Sequence, residues 1–143
     1  MSTYALDHLL ELRRTAEDDA GLTLAEATAA AAQATAASQA LKRAALAARR
    51  VWEQARADVV LRQPAGEALA THRFVDRLGD AWENKRQRAN RHRAAVLEPA
   101  LRKAQSARQA YLTARQEREA VERHLNRQRV AGRAAAERRN DES

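Results

Sequence analysis

Gln63-Pro64-Ala65-Gly66 decides the fold. The 143 residues hold only two prolines and four glycines, and here one of each falls within three positions. Proline removes a backbone donor and glycine frees the backbone, so a chain that is otherwise helical turns at such a place. Working back from it, no firm breaker occurs before the N-terminus. Gly21 is a lone interior glycine, tolerated in a helix at about 1 kcal/mol. Ser2 or Thr3 supplies a hydroxyl for the free N–H groups of a first turn, and Asp7 falls near the positive end of the helix dipole. The first helix is therefore predicted over about residues 3–62 and the turn over 63–66. Working forward, a second helix is predicted over about 67–139. Pro99 should bend or briefly interrupt it at Val96-Leu97-Glu98, and Asn140 to Ser143 should fray.

Helices this long need a reason, since the average globular helix has about 11 residues. A seven-residue spacing supplies it. One row reads Leu6, Arg13, Ala20, Ala27, Ala34, Leu41, Ala48 and Ala55; its companion reads Leu10, Glu17, Leu24, Ala31, Ser38, Ala45, Trp52 and Val59. These are the two seam rows of a coiled coil, with Arg13, Glu17 and Ser38 as polar exceptions. In the second half, Phe74, Leu78, Ala81 and Trp82 recur at helical spacing. A looser stripe follows through Val96, Leu97, Leu101, Ala104, Tyr111, Leu112, Val121 and Leu125. Two helices joined by a short turn pack antiparallel. The expected fold is thus all-α, a single long two-helix antiparallel coiled-coil hairpin over 1–143, monomeric and ~90–100 Å long. Folding about 64–66 puts Trp52 near Leu78, Leu10 near Glu119, and the two tryptophans at one level. A parallel homodimer of extended helices would leave the Pro64–Gly66 break without a purpose.

Composition agrees. Aromatic residues make up 3% of the chain and isoleucine is absent, so no compact core is available. There is no cysteine, which removes disulfides and thiolate metal sites and suits a reducing compartment. The N-terminus lacks a basic start followed by an apolar run, and the uncharged stretch Ala27 to Leu41 is too short and polar to span a bilayer.

Net charge is +7, which points to a solvated helical surface or to an acidic partner. Lys85, Arg86, Arg88, Arg91 and Arg93 form the densest cluster, a candidate basic docking patch. No stacking aromatics are interleaved with it, which disfavours single-stranded nucleic acid. Phosphate loops, nucleophile elbows and paired zinc histidines are missing, so no catalytic or metal site and no cofactor is expected. His8, His72, His92 and His124 are scattered and read as surface side chains. Phe74, Leu78, Ala81 and Lys85 follow one helix side at spacings of four, three and four. Part of that stripe should pack on the first helix, and the rest is a candidate partner surface.

Leu9-Leu10-Glu11-Leu12-Arg13, an acidic pair, a long alanine-rich helix, a central turn and the segment from Gln116 to Leu125 together resemble a known pattern. It is that of the type III secretion stalk proteins of the YscO/SctO family, relatives of flagellar FliJ. The resemblance spans the whole chain. It implies a non-enzymatic cytoplasmic stalk, peripheral to the inner-membrane secretion apparatus, that couples a hexameric secretion ATPase to the cytoplasmic ring of the export gate. Secretion chaperones are further partners that the resemblance suggests, without membrane insertion. It places Arg13, Arg14, Arg118, Arg123 and Arg127, at the joined ends, against the ATPase. It places Phe74, Leu78, Ala81 and Lys85 against the gate; flagellar relatives carry His where Lys85 stands. Two other readings remain open: a basic coiled coil that binds nucleic acid, and a structural spacer.

Overall fold

The computed structural model describes residues 2–61 and 68–142, so the predicted turn at 63–66 lies outside the described residues. The chain is all-α, a helical hairpin: α1 spans Thr3–Leu61, α2 Ala68–His92 and α3 Glu98–Asp141, with a π-helical turn, Arg93–Leu97, joining α2 to α3. No strand occurs among the described residues. Ser2 caps α1 as expected, its Oγ accepting from the Ala5 N–H at 3.3 Å. At the other end α3 outlasts its predicted boundary. Asn140 and Asp141 are helical, and the Glu142 N–H still reaches Arg138 O at 3.2 Å. Arg138 and Arg139 in the last turn complement the negative helix end, which favours that continuation.

All sixteen positions of the two predicted seam rows in α1 are buried or half-buried. Five of the nine fully buried residues described are alanines: Ala27, Ala31, Ala34, Ala45 and Ala107. Each contributes one methyl group, so the seam gains little from apolar burial and depends on alanine's helix propensity. Thr15, Thr23 and Thr35 fit within α1 because each hydroxyl donates to the carbonyl four residues back, at 2.8–3.1 Å.

The π-helical turn is the form that the expected interruption before Pro99 takes. Proline lacks the N–H that would close a regular turn, and its ring would collide with the carbonyl four residues back. The helix widens instead, and the Glu98 N–H bonds Arg93 O, five residues away. The extra residue shifts the phase of the seam. Val75 is buried and Leu78, Trp82, Ala89 and His92 are half-buried; after the turn the inner positions are Leu97, Ala100, Ala104, Ala107, Tyr111, Ala114, Arg118, Val121 and Leu125. Val96, Leu101 and Leu112, read from the sequence as part of the apolar stripe, are 42–48% exposed. Alanines occupy the seam where those larger residues had been expected.

The chain divides into two compact units, Met1–Thr28 with Lys103–Ser143, and Ala29–Arg102. In the first, α1 packs on α3 through a cluster of Leu6, Leu10 and Leu125, with Val121 against it. Leu10 thus clusters with Leu125, six residues beyond the Glu119 level expected from the turn. In the second, α1 packs on α2 around two tryptophans. Trp52 and Trp82 stack with ring centroids 5.1 Å apart and planes at 22°. Trp52 also lies over Gly79, one residue from the Trp52–Leu78 match expected from the turn, and the stack puts the two tryptophans at one level as expected.

Candidate functional site

Asp7, Arg13 and Glu17 project from α1 toward α3, where they meet complementary charges. Arg129 Nη2 donates to Asp7 Oδ1 at 3.1 Å, and Arg13 Nη1 to Glu117 Oε2 at 3.0 Å. Arg118 donates from Nε to Glu17 Oε2 at 2.7 Å, from Nη2 to Glu17 Oε1 at 3.3 Å, and from Nη1 to Glu122 Oε2 at 2.8 Å. That bond from Arg118 holds the Glu17 carboxyl below the usual carboxylate range, and Glu17 and Glu122 in turn raise the Arg118 pKa. The side chains of Arg118 and Glu17 are only 23% and 16% exposed. Arg13 and Glu17, polar exceptions in the seam rows, therefore each make an interhelical ion pair, with Glu117 and Arg118 respectively.

The five arginines expected to meet a partner at these ends consequently separate into two groups. Arg13 and Arg118 are occupied in holding α1 to α3. Arg14, Arg123 and Arg127 are exposed, with no ion pair among the described residues. Packing geometry makes the distinction: the first two lie at inward positions, the other three on the outer surface.

In the second unit, the tryptophan pair carries three guanidinium groups. Arg56 lies 4.6 Å from the Trp52 ring centroid, and Arg49 and Arg86 lie 5.6 and 6.0 Å from that of Trp82. Gly79 makes the arrangement possible. A Cβ there would stand 2.9 Å from Trp52 Nε1 and 3.3 Å from Cε2. Sequence reasoning passed over this glycine, although an isolated glycine in a helical pattern beside a tryptophan is a recognisable packing signal. Of the stripe predicted beside the turn, Phe74, Ala81 and Lys85 are exposed, while Leu78 is half-buried beside Val75 on the packing side. Three of the four thus share an accessible surface, and the fourth divides its area between that surface and the seam.

The basic cluster is not uniformly free. Arg86 makes a two-pronged bond to Glu83, at 3.1 and 2.8 Å, which lowers the Glu83 pKa. Arg93 approaches Glu98 at 3.6 Å. Lys85, Arg88 and Arg91 are exposed without an ion pair among the described residues. Beside the cluster runs a groove of about 230 Å³ between α1 and α2, to which α1 contributes Lys42 and Arg49, two cations that the sequence reading had not singled out.

His8, His72 and His124 are exposed and His92 is half-buried. Among the described residues no three His, Asp or Glu side chains gather to hold a metal ion, and no helix is long and apolar enough to cross a membrane. No protein-family model, curated protein or solved structure matches this chain.

Proposed function

We propose that this chain is the non-catalytic central stalk of a bacterial type III secretion system, coupling the secretion ATPase to the export gate. The observation that carries the reading is at the joined ends. Leu6, Leu10, Val121 and Leu125 and the Arg118–Glu17 pairing hold α1 to α3, while Arg14, Arg123 and Arg127 stay free on the outside. A stalk seated in an ATPase ring needs both properties: ends that do not separate, and mobile surface cations whose contacts change as the ring cycles. Charges of this kind set approach and orientation more than affinity. Arg14, Arg123 and Arg127 are the ATPase contacts in this reading, and Arg13 and Arg118 keep the ends together. The exposed Phe74, Ala81 and Lys85, with the accessible part of Leu78, form the export-gate contact.

The test is stimulation of a purified hexameric secretion ATPase by the full chain. Stimulation that is lost when Arg14, Arg123 and Arg127 are changed together to Glu, with the helix content unaltered, supports the reading. No association with the ATPase, or undiminished stimulation by the triple variant, overturns it.

A further inference from the structure

The groove between α1 and α2 has a chemistry distinct from the two contacts just described. Ala45, Leu46, Ala89 and Trp82 give it apolar lining, and Lys42, Arg49, Arg86 and Arg93 stand along it without an acidic residue among the lining groups. Leu46 is 44% exposed, a large apolar side chain on α1 that the helix pair leaves partly uncovered. The surrounding charge is concentrated. Residues 38–53 and 82–98 together hold nine Lys or Arg against three Glu, an excess of six in a chain whose net charge is +7. The three acids, Glu53, Glu83 and Glu98, bind Arg49, Arg86 and Arg93 through side chains that are 40–68% exposed, so these pairs exchange readily with an incoming carboxylate.

The geometry points to a docking site for an acidic amphipathic helix of a partner protein, which lies along the groove as a third helix. One bulky aliphatic side chain of that helix enters over Leu46, Ala45 and Ala89, and its Asp and Glu residues meet Lys42, Arg49, Arg86 and Arg93. A helix with one apolar face seated in an apolar groove is a recurrent recognition mode, and the cationic rim selects its charge. Nucleic acid fits this groove less well. One face of Trp82 is stacked on Trp52, and the Arg49 and Arg86 guanidinium groups lie 5.6 and 6.0 Å from its ring centroid, where they compete with a stacking base. The inference rests on residues 38–98 alone and does not require the stalk reading.

The experiment titrates the full chain with a synthetic helical peptide bearing leucines on one face and glutamates on its flanks, followed by tryptophan fluorescence and calorimetry. Three further ligands are the same peptide with Leu changed to Ala, the same peptide with Glu changed to Gln, and a mixed-sequence DNA duplex. Saturable binding of the first peptide is expected. Both altered peptides, and the exposed-site variants Lys42→Glu, Arg93→Glu and Leu46→Asp, should each weaken it by about tenfold or more, or ~1.4 kcal/mol. Failure to bind the first peptide overturns the proposal, and so does binding that Lys42→Glu and Leu46→Asp leave unchanged. DNA binding that displaces the peptide and is equally sensitive to Leu46→Asp would make the groove a nucleic-acid surface and likewise overturn it. Secretion-ATPase stimulation, measured in parallel, should survive Lys42→Glu and Leu46→Asp, so a failure here is distinguishable from failure of the stalk reading.

Discussion

Replacing a helical glycine with alanine ordinarily stabilises a protein, and Gly79 should reverse that sign. Alanine is favoured over glycine in a helix interior by about 1 kcal/mol. Gly132 of α3 meets nothing within 4 Å of an added Cβ, so Gly132→Ala should realise that gain. At Gly79 the same methyl group would stand 2.9 Å from Trp52 Nε1 and 3.3 Å from Cε2, contacts that the structure must relieve by moving. Trp52 has little room to yield. Trp82 is stacked on it at 5.1 Å and Arg56 sits 4.6 Å from its ring centroid. Overpacking of this kind costs ~1–3 kcal/mol, which cancels or exceeds the propensity gain. Gly79→Ala should therefore melt no later than the parent and earlier than Gly132→Ala. Far-UV circular dichroism measures the melt. Near-UV circular dichroism isolates the second unit, because both tryptophans of the chain lie in it. The near-UV tryptophan signal should weaken in Gly79→Ala and not in Gly132→Ala. A second comparison separates the clash from any other effect: in a Trp52→Leu background, Gly79→Ala should become neutral or stabilising. If Gly79→Ala raises the melting temperature as much as Gly132→Ala does, the close approach of Trp52 to α2 is refuted.

Leu125 is 1% exposed among Leu6, Leu10 and Val121, so Leu125→Ala should cost ~2–5 kcal/mol, whereas Leu112→Ala, at 42% exposure, should stay within about 0.5 kcal/mol; chemical denaturation compares them. Trp82→Ala should lower the melting temperature more than Leu78→Ala, because it deletes the Trp52 stack as well as buried area, while Leu78→Ala should impair secretion more in a cell-based export assay. Acid should loosen the joined ends through Glu17. Its folded pKa lies below the ordinary value of 4.5, so its stabilisation is complete above about pH 4.5 and disappears as pH falls through the lower folded value. Glu17→Gln should flatten that acid limb in a pH series of melts, and an unchanged limb would count against the Arg118 pairing.

What the sequence made legible, and what it concealed, both follow from how little an alanine seam depends on large side chains. The seven-residue rows in α1 were readable because position alone defines them; Ala27, Ala31, Ala34 and Ala45 are buried by geometry, whatever their size. The stripe in the second half was traced through large apolar residues instead, and there the trace left the seam at Val96, Leu101 and Leu112. Pro99 announced an interruption, but not that the helix would absorb it as one extra residue in a π-helical turn, which rotates everything after it by about 100° relative to the earlier count. Counting from Pro99 onward, rather than through it, would have found Ala100, Ala104, Ala107, Tyr111, Ala114, Arg118, Val121 and Leu125 at alternating steps of four and three. That corrected register brings Arg118 inward against Glu17, and so turns one apparent defect of the seam rows into an interhelical contact. The same logic separates the candidate contacts. A charge at an inward position is used by the hairpin itself, as in Arg13 and Arg118; a charge outside it, as in Arg14, Arg123 and Arg127, is free for another molecule. Charge clusters in a coiled coil gain functional meaning only after the register is known, because register decides which of them the partner helix has already neutralised.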